Sequence, residues 1–142
     1  MECILILTLL VICIEDIVKR TITNKSVFFV FIISCIVSLH EVNIIIKSFL
    51  ILTVISLTVY KLNLWAGGDS KLLISLSPLF SPEQCMDVIV SILLCGGVLS
   101  VFYMVKNRFI YSSNVTNLPY GVAIIGGTNL SLYFFQGLAV YL

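Results

Sequence analysis

Residues Val42–Tyr60 read VNIIIKSFLILTVISLTVY, and Lys47 is the only charged residue among them. About 20 consecutive apolar residues are enough for a helix to cross the hydrocarbon core of a bilayer. The run therefore predicts a transmembrane helix. Lys47 lies toward one end of the run, so its long side chain can extend to the headgroup region.

The composition of the whole chain points the same way. Of its 142 residues, 60% are hydrophobic and only 11% are charged. A soluble domain of this size exposes a large share of its surface and cannot hide so many apolar side chains from water. The chain is therefore expected to be an integral membrane protein. Its net charge of +1 excludes a nucleic-acid binder built on a basic face.

The apolar runs predict an all-α polytopic protein with about six transmembrane helices in one domain, residues 1–142. The N-terminal run opens with an acid and lacks a basic start and a cleavage site, so it is expected to be a retained helix. Fusion of the fourth and fifth runs into one kinked helix is an alternative. Two helices are favoured because "SPEQ", Ser81–Gln84, is typical of a helix start. The predicted spans are 2–18, 26–40, 42–60, 69–81, 84–105 and 120–141.

The basic residues predict the orientation of these helices. All except Lys47 fall in the first, third and fifth loops. Because cytoplasmic loops carry an excess of Lys and Arg, these loops are expected to be cytoplasmic and the N-terminus to lie outside. A single fused fourth helix would break this alternation.

The five cysteines are scattered and form no C-x-x-C pair. Structural zinc sites and disulfide frameworks need clustered cysteines. The sequence thus predicts no metal and no cofactor, and free thiols within apolar segments.

Two acidic residues lie at the predicted cytoplasmic ends of apolar runs. Asp16 ends the first run and Asp69 begins the fourth. An ionisable residue at membrane depth is expensive and indicates function. Two carboxyls in a partly dry site share one proton, which equips them as a base and an acid. Gly67 and Gly68 allow close approach of a substrate backbone beside Asp69.

Three motifs follow one another along the chain: Asp16-x-x-x-Arg20-x-Ile22-x-Asn24, "AGGDSKLL" (66–73) and "LPYGVAIIGG" (118–127). The first resembles the D-x-x-x-R-x-I-P-N element of type IV prepilin peptidases, and the second resembles their G-x-G-D-x-K-L element. The third is similar to their P-Y-G-x-A-I-x-x-G element.

The resemblance implies an intramembrane aspartyl protease with Asp16 and Asp69 as its catalytic pair. Its substrate would be a prepilin or pseudopilin precursor, cut after a short basic leader. The enzyme would be a multi-pass protein of the bacterial inner membrane with its active site at the cytoplasmic face. The short chain resembles the enzymes of tight-adherence (Flp) pilus systems. It has no cysteine-rich zinc loop, which argues against a methyltransferase activity.

The same motifs nominate supporting residues around the pair. Lys71 is either an interfacial anchor or a charge that biases the aspartates, and Arg20 is expected to contact lipid phosphate. Asn24 is expected to cap the second helix. A turn into the sixth helix is assigned to Pro119, Tyr120 and Gly121.

The chain departs from the family pattern at two positions. Ala66 replaces the first glycine of the second motif, and Thr23 replaces a proline, which is expected to loosen the turn before Asn24. Neither change removes a proton-transfer group.

Three other functions are compatible with part of this sequence. A non-enzymatic transporter or pilus-assembly scaffold would use the two aspartates as proton or ion sites. An archaeal-type preflagellin peptidase shares the pair but is disfavoured because no added soluble domain is present. A presenilin-like enzyme is ranked low because Asp16 follows Glu15, whereas that family has a Y-D element.

Overall fold

The computed structural model describes residues 2–19, 21–38, 40–109 and 120–139. Six α-helices and one 3-10 turn, Ser77–Leu79, make up the regular structure in these ranges, with no strand, so the all-α prediction is confirmed for them. The helices are α1 (Glu2–Lys19), α2 (Asn24–Val37), α3 (Val42–Lys61), α4 (Gly67–Ser75), α5 (Gln84–Phe109) and α6 (Tyr120–Ala139).

Thr23, and not Asn24, caps the start of α2. Its hydroxyl accepts a hydrogen bond from the backbone N–H of Ser26 at 3.3 Å, while its own backbone is extended. This is the geometry in which threonine satisfies a free N–H at a helix start. The predicted cap at Asn24 is wrong, because Asn24 is already the first residue of the helix. Thr23 therefore fixes the turn that its replacement of proline was expected to loosen.

The fourth helix is shorter than predicted. It ends at Ser75 after nine residues, and the 3-10 turn follows it. Pro78 has no N–H, and its ring would clash with the carbonyl of residue 74 if the helix continued. At 1.5 Å per residue α4 is about 13 Å long, well short of the roughly 30 Å hydrocarbon core. The prediction of one helix over 69–81 is therefore wrong.

A separate helix starts after the proline-rich break, as the "SPEQ" motif predicts. The side chain of Gln84 accepts a hydrogen bond from the backbone N–H of Ser81 at 3.0 Å, and the Gln84 N–H donates to the Ser81 carbonyl at 3.0 Å. The glutamine reaches back to the residue before the helix as in a capping box. The alternative of one fused helix is thus excluded.

The short helix α4 lies at the centre of the bundle. It contacts α2, α3 and α6, while α5 packs along α6, and α1 packs on α2 and α6. Its own Leu72 and Leu73, and Leu76 directly after it, are fully buried. The hydroxyl of Ser56 on α3 donates to the Ser70 carbonyl at 3.0 Å, which ties α4 to its neighbour by a buried hydrogen bond.

Two helices among the described residues are long and apolar enough to cross a membrane. They are α3 and the Gln84–Lys106 part of α5. Many large apolar side chains elsewhere also face outward, including Leu7, Phe28 and Phe134. Outward-facing apolar side chains suit a lipid environment. Six spans and an outside N-terminus remain predictions.

Gly127 allows close packing of α5 and α6. A β-carbon built at Gly127 would lie 2.5 Å from the Cα atom of Ile92 and 2.6 Å from its nitrogen. Both are backbone atoms, so the helices would have to separate. Small residues at helix contacts permit this kind of approach in membrane proteins.

We expect Gly127→Ala to destabilise the protein by about 1–3 kcal/mol, the range for overpacking a well-filled contact. The measurement is the midpoint of thermal unfolding in detergent, followed by tryptophan fluorescence. Gly97→Ala is the matched control, since a β-carbon there meets nothing within 4 Å. Equal midpoints for the two variants would contradict this account of the α5–α6 contact.

Candidate active site

Asp16 lies in the last turn of α1, against the first turn of α6. Its side chain is 5% exposed. A β-carbon built at Gly121 would lie 2.6 Å from Oδ2 of Asp16 and 3.0 Å from Cγ. Only glycine leaves room for the carboxyl group at this position. The carboxyl group consequently packs against the first turn of α6.

Asp69 lies in the first turn of α4. It is the third residue of the helix and not its cap, which is Ala66. The backbone N–H of Ala66 donates to Oδ2 of Asp69 at 3.3 Å, and Asp69 is 6% exposed. Ala66 has no side chain that could cap the helix, so this contact is the carboxylate half of a capping box. Replacement of the usual glycine by alanine leaves this N–H in place.

The two carboxyl groups interact electrostatically. Asp69 lies outside both helices that are long enough to cross a membrane. Its pKa is raised from 3.8 to about 6, first by burial and further by the charge of Asp16, while the Ala66 N–H lowers it. Burial disfavours an ionised carboxyl, and a second carboxylate nearby does so as well. At neutral pH this pair therefore holds a proton more readily than an isolated aspartate would.

The predicted glycines pack against the chain itself. A β-carbon at Gly68 would lie 3.3 Å from Cβ of Ile22, and one at Gly67 would lie 3.7 Å from the Tyr60 ring. Gly68 thus makes a close internal contact, whereas Gly67 has ordinary space around it.

Lys71 and Asn24 join α4 to the start of α2. The Lys71 ammonium donates a hydrogen bond to Oδ1 of Asn24 at 2.9 Å, and both side chains are exposed. The bond connects the motif that contains Asp16 to the motif that contains Asp69. This contact is a structural role beside the two roles predicted for Lys71, which stay predictions. An exposed polar pair contributes little to the free energy of unfolding. The bond therefore acts mainly by orienting the start of α2 relative to α4.

Tyr120 packs under the loop before α4. Its ring lies 6.1 Å from the ring of the buried Trp65, at an angle of 45°. A β-carbon at Gly96 would lie 3.2 Å from the same tyrosine ring. Tyr120 therefore holds the start of α6 against both α5 and the segment that leads to Asp69. Arg20 and Pro119 lie outside the described residues.

Ile22, Trp65 and the contact of Glu15 with Ser26 were not predicted as parts of the site. The Ser26 hydroxyl donates to Oε2 of Glu15 at 3.1 Å, beside Asp16 in the chain. Ile22 belongs to the first motif, and Trp65 precedes the second. Their positions within the motifs are the signal that could have identified them.

Two larger grooves lie away from the aspartate pair. One, of about 580 Å³, is lined at the other end of the bundle by Ser38, His40 and Asn129, among others. The second, of about 460 Å³, runs between α1 and α2 and ends at Lys25 and Ser26. Among the described side chains, no three His, Cys, Asp or Glu residues converge as metal ligands do.

Residues 3–105 match the profile of the type IV leader peptidase family. The chain belongs to that family. The matched region contains Asp16 and Asp69, and α6 with Gly121 follows it. Searches of curated proteins and of solved structures gave no significant match.

We expect Gly121→Ala to lower peptidase activity about 100-fold, since displacement of a reacting group by roughly 1 Å has an effect of that size. The added methyl group would have to push the Asp16 carboxyl aside. Cleavage of a prepilin substrate in liposomes measures the effect. Gly126→Ala in the same helix is the control, because its β-carbon would meet only Cys95 Sγ at 3.8 Å. Similar activity of both variants would show that Asp16 tolerates the displacement.

The raised pKa of Asp69 also predicts a pH-dependent stability. A raised pKa in the folded state contributes stability that is fully present below pH 3.8 and is lost as the pH rises through about 6. Asparagine stays neutral and avoids this loss. We therefore expect the unfolding midpoint of Asp69→Asn, relative to the unmodified protein, to rise by several degrees between pH 4 and pH 8. Asp87→Asn, at an exposed position of α5, should show no such trend, and a trend equal in both variants would refute the assignment.

Proposed function

We propose that this chain is a membrane-embedded aspartyl endopeptidase that removes the N-terminal leader of prepilins or pseudopilins at the cytoplasmic face. Asp16 and Asp69 are its catalytic pair. The observation that carries the proposal is the burial of two carboxyl groups at the ends of different helices, with the charge of Asp16 contributing to the raised pKa of Asp69. The family supports peptidase chemistry, and these two groups supply what an aspartyl mechanism needs.

The mechanism uses one proton held between the two carboxyls. The ionised carboxylate takes a proton from a water molecule while the water oxygen attacks the scissile carbonyl carbon. At the same time the protonated carboxyl donates its proton to the carbonyl oxygen. A tetrahedral diol results, and the proton has changed sides. In the second step a diol hydroxyl returns its proton to one carboxylate, the other carboxyl protonates the amide nitrogen, and the C–N bond breaks. The pair ends with one proton, as it began.

The helix ends around the pair support this chemistry. The Asp16 carboxyl lies against the first turn of α6, and Asp69 accepts the Ala66 N–H at the start of α4. A negative charge on Asp69 is thus close to a backbone N–H group. Because this group is held at the start of α4, it needs no rearrangement when the charge forms.

The cytoplasmic location is supported by the basic residues around this end of the bundle. Lys19 ends α1, Lys25 lies in the first turn of α2, and Lys71 lies two residues after Asp69; all three are exposed. Positive charge of this kind marks the cytoplasmic ends of transmembrane segments. A prepilin leader present in the cytoplasm would meet the pair there.

The competing proposal is a transporter or assembly scaffold without enzymatic activity. It would also place buried aspartates in a membrane protein. The match to a leader peptidase family favours the enzyme, and Flp-like prepilins are the proposed substrates.

We expect Asp16→Asn and Asp69→Asn each to reduce cleavage at least 1000-fold, because asparagine can neither accept nor release the proton of an acid–base step. The assay is leader removal from a Flp-type prepilin in liposomes, followed by mass spectrometry. Asp87→Asn provides a matched control that should stay within about twofold of the unmodified enzyme.

Unfolding midpoints in detergent should show that both inactive variants remain folded. Leader removal that persists in either variant would exclude the catalytic pair. Intact prepilin with every variant, including the unmodified protein, would favour the non-enzymatic proposal.

A further inference from the structure

Ile22 lies in the short link between α1 and α2 and contacts the helices on both sides of the aspartate pair. A β-carbon at Gly68 would lie 3.3 Å from Cβ of Ile22. A β-carbon at Gly121 would lie 3.2 Å from Cδ1 of the same side chain. Cβ and Cγ1 of Ile22 thus face α4, while Cδ1 lies near both helices, 3.8 Å from the β-carbon built at Gly68.

Each of these glycines is adjacent to one carboxyl group. Gly68 immediately precedes Asp69 in α4, and Gly121 is the residue that faces the Asp16 carboxyl. The Ile22 side chain therefore fills the space between the start of α4, which carries Asp69, and the start of α6, which packs against Asp16. It is half-buried and packs against the hydrophobic core.

We propose that Ile22 is a positioning residue that sets the separation of the two carboxyl groups, by acting as a spacer between Gly68 of α4 and Gly121 of α6. The inference rests on the proposed catalytic pair. Ile22 carries no proton and takes no part in bond making. Its effect is on the geometry in which the shared proton passes between Asp16 and Asp69.

Isoleucine is suited to this role by its shape. Branching at Cβ restricts its χ1 angle, so the direction of the side chain is well defined. Neither glycine has a side chain that could move away, so the spacing between the helix starts follows the width of Ile22. A catalytic pair is sensitive to such spacing, because a shift of about 1 Å can reduce a rate by about 100-fold.

The first test truncates the spacer. We expect Ile22→Ala to lower kcat about 30-fold while KM stays within about threefold, because the missing side chain alters proton transfer more than substrate binding. Ile22→Val keeps Cβ and Cγ1 near Gly68 but lacks Cδ1, the atom near Gly121, and should recover only part of the loss. The assay is prepilin cleavage in liposomes, with unfolding midpoints measured in parallel.

A matched control separates positioning from ordinary core packing. Ile92 on α5 is fully buried, so Ile92→Ala removes the same atoms from a site that does not touch either aspartate. We expect this variant to lower the unfolding midpoint at least as much as Ile22→Ala does, with kcat reduced less than threefold. Equal losses of kcat in the two variants would overturn the inference.

The second test restores material from the opposite side. Gly68→Ala alone pushes on Cβ of Ile22 and should lower kcat, whereas in the Ile22→Gly background, where that Cβ is absent, its methyl group enters the vacated space. We expect the double variant to be at least as active as Ile22→Gly alone. A kcat equal to the product of the two single effects would mean that the two residues act independently and would refute the spacer role.

Failure of this inference is distinct from failure of the proposed function. If Asp16→Asn and Asp69→Asn abolish cleavage while Ile22→Ala leaves kcat unchanged, the catalytic pair stands and the spacer does not. If cleavage survives loss of either aspartate, the spacer has nothing to position and both proposals fall.

Discussion

The structure has to bury two carboxyl groups, those of Asp16 and Asp69, at one end of a helical bundle. Burial of a charge without partners is costly, so the chain must supply polar groups where the carboxyls lie. For Asp69 it does so with a helix start, because the N–H of Ala66 donates to its carboxylate. The Asp16 carboxyl packs against Gly121 in the first turn of α6. Helix α6 contacts both α1, which carries Asp16, and α4, which carries Asp69.

The close meeting of these helices requires residues without side chains. Gly121 admits the Asp16 carboxyl, and Gly68 admits Ile22. Farther along α6, Gly127 allows α5 to approach until backbone atoms of Ile92 are in contact range. The position of the carboxyl pair is thus a result of packing over most of α6.

The brevity of α4 serves the same end. A short helix ended by Pro78 can lie at the centre of the bundle, with α2, α3 and α6 around it. Its first turn then carries Asp69 inside the bundle, where burial raises the carboxyl pKa to about 6. A helix as long as the bundle would have its first turn at the surface, whereas the short helix α4 has its polar first turn inside the protein.

Much of this arrangement follows from the sequence alone. The apolar runs predict the helices, "SPEQ" predicts the start of α5, and the motifs around Asp16 and Asp69 predict the family. These features are readable because they depend on residues close together in the chain: helix periodicity, caps and proline breaks are local effects. The family and the all-helical fold are confirmed, while the catalytic roles of the aspartates remain a proposal.

The tertiary structure decided what depends on residues far apart in the chain. The sequence places Ile22 in a motif, but only packing reveals that it touches Gly68 and Gly121, which lie on two other helices. It likewise offers Asn24 as a cap, and only the fold shows that Thr23 caps α2 while Asn24 binds Lys71. Contacts of this kind arise when helices pack, and packing depends on the shapes of all partners at once, which no single stretch of sequence contains.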